Sequence, residues 1–137
     1  MKKSSSTVVA DPCPCGQPLA YAQCCGRFHH GALPATAAQL MRSRYSAYVR
    51  RDEAYLLQSW ASSTRPTTLD LADDDGVKWL GLQLLESQAG EAGDETGTVR
   101  FVARYKLGGR AFRLQENSRF IREQGAWRYL DGEVSEG

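Results

Sequence analysis

The feature that most constrains this chain is the crowding of its cysteines into one short segment. All four lie within thirteen residues, and the surrounding segment 12–31 also holds both histidines. A loop-rich module of this size cannot fold on hydrophobic burial alone, so it requires a covalent or metal staple. The cysteine positions are Cys13, Cys15, Cys24 and Cys25.

The spacing of these cysteines favours a zinc site. A Cys-Pro-Cys run is followed, after eight intervening residues, by Cys-Cys-Gly. Four thiolates complete the tetrahedron that structural Zn²⁺ prefers and leave no position for a catalytic water. We therefore predict one structural zinc ion per chain. The alternatives are two disulfides, four unliganded thiols, or His29 or His30 in place of one cysteine.

The charge of the 137-residue chain argues against nucleic acid as a partner. The net charge is +1, with 17 basic and 16 acidic residues, so the basic excess of a nucleic-acid-binding domain is missing. The arginines of the first long helix are interpreted as a solvated face. These are Arg42, Arg44, Arg50 and Arg51.

Nothing in the chain has the length of a membrane span. The longest apolar stretch is far shorter than the ~20 residues that cross a bilayer, and the N-terminus has no signal-peptide pattern. We therefore expect no membrane partner and a cytoplasmic location. Thiols stay reduced in the cytoplasm, so clustered cysteines there bind metal more often than they form disulfides.

The hydrophobic periodicity predicts helices first and strands afterwards. Residues 1–11 read as a flexible tail. A helix is predicted over 37–50, with Thr36 as its cap, and a second over 52–60. One further helical turn is predicted within 68–75.

From Val77 the pattern changes to period two, which is typical of strands. Leu80, Leu82 and Leu84 are predicted to share one face of the first strand. Glycine pairs and Gln-Gly steps mark the turns that follow. The fold class is therefore α+β, with helices packed on a curved four-stranded antiparallel sheet.

Polar side chains on the inner face of the third strand indicate a candidate pocket. Glu116 and Ser118 alternate with apolar residues, and Arg44 on the long helix can reach the same space. Two interpretations are open. Either Arg44, Glu116 and Ser118 line a ligand pocket, or Arg44 and Glu116 form a buried ion pair that orients the helix on the sheet. Tyr129 and Asp131 are predicted to share a face, and convergence of Asp131 with Glu116 would indicate an enzyme.

The cysteine segment resembles the SEC-C zinc motif, found at the C-terminus of the SecA motor and elsewhere. The match consists of Cys-Pro-Cys-Gly, a tyrosine at position 21 and Cys-Cys-Gly. The resemblance implies that zinc is held by the four positions of that motif. In this chain they are Cys13, Cys15, Cys24 and Cys25.

A wider resemblance covers most of residues 12–132. The runs Leu-Met-Arg-Ser-Arg-Tyr from position 40, Glu-Asn-Ser-Arg-Phe from 116 and Trp-Arg-Tyr-Leu-Asp-Gly from 127 are similar to the YchJ-type bacterial family. It implies a SEC-C knuckle over 12–31 and a cone-shaped domain over 32–134, similar to nuclear transport factor 2. Such cones often dimerise through the open sheet face.

This resemblance implies a fold and a metal but no reaction. We expect a non-catalytic binding or adaptor module, with a protein or a small molecule as its partner. The alternative is a small-molecule enzyme of the isomerase or hydrolase type that uses the pocket of the cone.

Overall fold

The computed structural model describes residues 11–69, 71 and 76–135. A short 3-10 helix precedes three α-helices and four strands. The helices are α1 (Cys25–His29), α2 (Ala37–Arg50) and α3 (Glu53–Gln58). The strands are β1 (Lys78–Ala89), β2 (Thr96–Leu107), β3 (Arg110–Glu123) and β4 (Ala126–Ser135). Most of the predicted tail and of the predicted turn over 68–75 lies outside the described residues.

Helix α2 begins and ends where the sequence predicts. The Thr36 side chain accepts a hydrogen bond from the Gln39 backbone N–H, and Gln39 Oε1 accepts one from the Ala35 N–H at 2.8 Å. The first contact satisfies one of the donors that every helix N-terminus leaves unpaired, and the second holds the residue that precedes the cap. The helix stops at Arg51, which adopts the left-handed conformation with φ 58°.

Helix α3 is shorter than predicted. It ends at Gln58, not at Trp60, because the chain turns there to pair with β4. The Tyr129 N–H donates to the Ser59 carbonyl at 2.8 Å, and the Ala61 N–H donates to the Tyr129 carbonyl at 2.7 Å. This exchange of two backbone hydrogen bonds competes with further helical turns.

The four strands form one antiparallel sheet in the order β1-β2-β3-β4. Gly108 and Gly109 close the β2–β3 hairpin with φ values of 61° and 82°, which glycine adopts without a side-chain clash. The predicted α+β class and the meander are confirmed. Within the described ranges, none of the helices has the length and apolar character needed to cross a lipid bilayer.

Two register irregularities reverse faces that simple alternation had predicted. The β1–β2 register jumps from Trp79 to Gly81, so Leu80 is an extra residue and remains 49% exposed. The prediction that Leu80 shares the inner face with Leu82 and Leu84 is therefore wrong, and Trp79 takes that place. A second irregularity makes Leu130 the extra residue of β4. Such bulges bend a strand and re-aim its side chains.

The core lies between the inner face of the sheet and α2. Its fully buried side chains come from both layers, and the Trp127 indole N–H donates to the Ala35 carbonyl at 3.2 Å. Each buried side chain of this size contributes about 1.5–3 kcal/mol of burial free energy. The largest members are Leu40, Val99, Phe120 and Trp127.

Candidate metal centre and ligand cavity

The four cysteine sulfurs converge on one point. All lie within 4.8 Å of one another and all four residues are buried, with 3.6 Å between the sulfurs of Cys15 and Cys24. A tetrahedral zinc ion with bonds of about 2.3 Å places its sulfurs about 3.8 Å apart, so the cluster fits that ion. The sulfurs are unbridged, since all four cysteines are free.

Local backbone structure brings the cysteines together. The Gly16 N–H donates to the Cys13 carbonyl, and the φ of 95° at Gly16 turns the chain sharply after Cys15. Cys24 caps the N-terminus of α1 and Cys25 is the first residue of that helix. The start of α1 thus brings the thiols of Cys24 and Cys25 into the same sulfur cluster.

Hydrogen bonds within the cluster favour a thiolate. The pKa of Cys15 falls to about 5, chiefly because the Cys25 thiol donates a hydrogen bond to it. Burial is the main cause that raises the pKa of Cys24 to about 12, and donation to Cys15 raises the pKa of Cys25. Thiolate is the form that ligates metals, so this donor set suits a soft divalent cation.

Neither histidine belongs to the sulfur cluster. His29 Nε2 donates to the Ser43 carbonyl at 2.8 Å, which leaves Nδ1 as the acceptor for the Tyr21 hydroxyl. His30 Nδ1 donates to the Gly26 carbonyl at 2.7 Å. Both rings thus serve hydrogen bonds within the described part of the chain, and the geometry favours the four-cysteine set over a set that includes a histidine.

The knuckle packs directly on one face of α2. Arg42 Nη1 donates to the Cys15 carbonyl at 3.1 Å, and the Ser46 hydroxyl lies 3.5 Å from the Cys13 sulfur. The guanidinium of Arg50 lies 3.9 Å from the centre of the Tyr21 ring. The prediction that the arginines of α2 form a solvated face is therefore wrong for Arg42, which docks the knuckle.

On the other side of α2, a cavity opens between the helix and the inner face of the sheet. It encloses about 250 Å³ and is lined mostly by apolar and aromatic side chains, with four polar groups among them. The polar groups are Arg44, Glu116, Ser118 and Tyr129. The rest of the lining is apolar or aromatic and consists of Met41, Tyr45, Tyr48, Trp79, Phe101, Ala103 and Leu114. The three predicted pocket residues thus face one space.

Arg44 is buried deeply, with 3% of its surface exposed. Its Nη1 donates to the Leu56 carbonyl at 2.8 Å and to the Ser59 hydroxyl at 2.7 Å. The guanidinium also lies 4.6 Å from the centre of the Tyr129 ring. Burial lowers the pKa of Arg44 from its usual range, because a low-dielectric environment disfavours the charged form. The solvated-face interpretation is therefore wrong for Arg44 as well.

The ion pair considered between Arg44 and Glu116 is not formed. Among the described residues, no carboxylate oxygen lies within 4.0 Å of the Arg44 guanidinium. Glu116 Oε2 instead accepts hydrogen bonds from the Ser118 hydroxyl at 2.6 Å and the Tyr129 hydroxyl at 3.1 Å. Burial, followed by the nearby Glu116 charge, raises the pKa of Tyr129, which keeps that hydroxyl a donor.

Sequence reasoning did not anticipate the role of Gly132. It lies opposite Ser118 in the sheet register, and a Cβ built on Gly132 would overlap the Glu116 carboxylate. The absent side chain therefore makes the space in which that carboxylate rests. A glycine inside a strand is the signal for such a close approach.

Asp131 does not join the cavity. The extra residue Leu130 turns it to the outer face, where both of its oxygens accept hydrogen bonds from Arg119. The prediction that Tyr129 and Asp131 share a face is therefore wrong, and the carboxylate pair that would have indicated an enzyme is not formed.

Comparison with known proteins places the chain in a family. A family model described as YchJ, middle NTF2-like domain, matches residues 36–132. The chain belongs to the YchJ family. Curated relatives include a UPF0225 protein of Xanthomonas oryzae pv. oryzae, 54% identical over 122 residues, which covers 88% of this chain and 93% of the relative. A UPF0225 protein of Bordetella parapertussis is 51% identical over 137 residues, or 98% and 99% of the two chains.

Solved structures agree with the YchJ assignment. A SEC-C motif containing protein from Rhodopseudomonas palustris is 30% identical, with a TM-score of 0.79 over 90% of this chain and 98% of that one. A SEC-C motif containing protein from Psychrobacter arcticus is 27% identical, with a TM-score of 0.72 over 91% and 83%. The NTF2-like fold and the SEC-C motif are thus established for this YchJ-family chain.

Proposed function

We propose that this protein binds a small amphipathic molecule in the cavity beside α2, and that a zinc-bound knuckle supports the helix that lines it. The observation that carries this proposal is the convergence of Arg44, Glu116, Ser118 and Tyr129 in a cavity that is otherwise lined by apolar and aromatic side chains. Ligand sites typically combine apolar walls with a few placed polar groups.

The size of the cavity sets the size of the ligand. An apolar protein cavity of about 150 Å³ holds benzene, so a volume of about 250 Å³ has room for one ring with a short polar substituent. The proposal is therefore a monocyclic molecule or an aliphatic one of similar bulk. A protein partner docked elsewhere on the surface is the other form of the adaptor hypothesis, and the cavity favours the small molecule.

Binding is favoured over catalysis because Glu116 is the single carboxylate among the described residues that line the cavity. Asp131 lies on the outer face of the sheet, and no histidine is among the residues that line the cavity. Acid–base chemistry of the isomerase or hydrolase type generally needs a second proton-transferring group near the first. The enzyme alternative would need Tyr129 to fill that role.

The metal proposal is one structural zinc ion held by Cys13, Cys15, Cys24 and Cys25. When bound, the ion supplies the cross-link that a module of this size otherwise lacks. We also infer a reducing, cytoplasmic location, which keeps the thiols available. The division into a knuckle over 12–31, a cone over 32–134 and a homodimer through the sheet face stays a prediction. Metal analysis of the purified chain, with thiol titration before and after chelation, tests the ion.

Two small aromatic probes test the ligand site. Phenylacetamide and phenylacetate are titrated separately while backbone amide resonances are followed. At least one should give saturable shifts of cavity-lining residues. Ala103→Leu, which adds three carbon atoms to the cavity wall and narrows the cavity, should weaken them, whereas Ala111→Leu on the exposed outer face should leave them unchanged. Absence of saturable cavity shifts with both probes would refute the proposed function.

A further inference from the structure

Arg44 is a buried cation that uses only part of its hydrogen-bonding capacity. Both of its hydrogen bonds come from Nη1, and both go to uncharged oxygens. Nε and Nη2 make no hydrogen bond to any described residue. Arg44 lines the cavity, and among the described side chains the sealed polar atoms without a partner are Trp60 Nε1 and Arg128 Nε, not those of Arg44. We therefore place the unused edge of Arg44 at the cavity.

The unused edge has the geometry that binds a carboxylate. Nε–H and one Nη–H₂ group point in the same direction and form a fork that matches two carboxylate oxygens. Arg119 demonstrates the arrangement on the outer face, where Nε and Nη2 hold Asp131 at 2.6 and 2.5 Å. In Arg44 the same two atoms are free, and no carboxylate of the described chain lies within 4.0 Å of them.

Glu116 adds a second requirement at the other side of the cavity. Its Oε2 already accepts from Ser118 and Tyr129, while Oε1 accepts no hydrogen bond from a described residue. A ligand that placed only a carboxylate here would meet this negative charge. A ligand donor aimed at Oε1 would offset that repulsion and satisfy the acceptor.

We propose that the cavity takes a small organic acid that carries a hydroxyl or amino group. Its carboxylate lies on the Nε/Nη2 edge of Arg44, its apolar body lies against the aromatic lining, and its hydroxyl or amino group donates to Glu116. This inference rests on the proposed function and adds the charge and the donor of the ligand to it. A buried cation with no carboxylate in direct contact is costly, and the ligand carboxylate supplies that contact.

Three probes of nearly equal size separate the parts of this inference. Phenylacetate should bind at least tenfold more tightly than its uncharged isostere phenylacetamide at pH 7, and one enantiomer of mandelate, which adds a hydroxyl, should bind more tightly still. Equal affinity of the amide and the carboxylate would overturn the anion site while leaving the proposed function intact. If neither enantiomer of mandelate exceeds phenylacetate, the Glu116 contact is overturned. Failure of both phenylacetate and phenylacetamide to bind in the cavity would remove the proposed function itself.

Matched variants assign the preference to one arginine. Arg44→Lys keeps the charge but removes the fork, so the preference for phenylacetate over phenylacetamide should fall at least threefold. Arg119→Lys makes the same change in an exposed pair and should leave the preference unchanged. The Arg44 Nε–H resonance of the wild-type protein gives a readout independent of variant folding. It should shift downfield with phenylacetate and not with phenylacetamide, and an unmoved signal at saturation would overturn the assignment.

Discussion

Removal of the metal should destabilise the cone, although the proposed ligands all lie in the knuckle. The knuckle holds α2 through hydrogen bonds from Arg42 to Cys15 and from His29 to the Ser43 carbonyl, and through Arg50 above the Tyr21 ring. With about 0.5–1.5 kcal/mol for each hydrogen bond and about 0.5–1 kcal/mol for the cation–π contact, their loss costs about 1.5–4 kcal/mol.

Tryptophan fluorescence during urea denaturation measures this cost in the cone alone. All three tryptophans, Trp60, Trp79 and Trp127, lie outside the knuckle segment 12–31. Chelation should lower the free energy of unfolding by about 1.5–4 kcal/mol, or Tm by about 5–15 °C, and restored zinc should reverse the loss. The reasoning is refuted if chelation removes the metal completely and the unfolding midpoint stays where it was.

A thermodynamic cycle that combines one substitution with metal removal measures the coupling between Arg42 and the knuckle. Arg42→Ala should cost about 1 kcal/mol in the metal-bound protein, because its hydrogen bond to the Cys15 carbonyl is lost. In the chelated protein the same substitution should cost close to nothing, since the acceptor is no longer held in place. Equal costs in the two forms would show that Arg42 acts independently of the knuckle.

Three further perturbations test the fold. Arg113→Glu should stabilise the protein by about 0.2–1 kcal/mol, because Arg113 lies directly opposite Arg104 and the two positive charges repel each other. Arg113→Gln should stabilise it less, and a lower urea midpoint for Arg113→Glu would contradict this repulsion. Gly97→Ala should lower the free energy of unfolding by about 1–3 kcal/mol in the same assay, because the added Cβ would lie 2.5 Å from the Gly90 Cα. An unchanged urea midpoint would mean that the two strands move apart without cost. Burial lowers the pKa of His29, so the folded state resists protonation of this ring. Stability should therefore be full above about pH 6.5 and decline below it. The same decline in His29→Gln at unchanged zinc content would exclude His29 as its cause.

Local signals made α2 predictable from sequence. Its cap, its apolar spacing and its end at residue 50 depend on side chains within a few positions of each other. The class and the strand order followed from period-two alternation and glycine turns in the same way. These features are set before any tertiary contact forms, so one sequence suffices to predict them.

The two bulges were not predictable, because nothing local distinguishes them. Leu80 and Leu130 look like ordinary members of alternating runs, and only pairing with the neighbouring strand shows that each is an extra residue. The consequence for the site is large. One residue of slip sends Asp131 out of the cavity and leaves Glu116 as its carboxylate. The hydrogen-bond acceptors of Arg44 were not predictable for a related reason. The Leu56 carbonyl and the Ser59 hydroxyl are placed by the early end of α3, which depends on pairing with β4.

Helix α2 connects the two candidate sites through its periodicity. Positions 42, 46 and 50 recur every four residues and contact the knuckle, whereas positions 41, 44, 45 and 48 form the stripe on the other side of the helix, which lines the cavity. A rigid helix cannot shift one stripe without moving the other, because both belong to one cylinder with a rise of about 1.5 Å per residue. If the knuckle positions α2, the Arg44 edge is held at its distance from Glu116 only while the four cysteines are held together. Affinity for phenylacetate should therefore fall on chelation even though no cysteine lines the cavity.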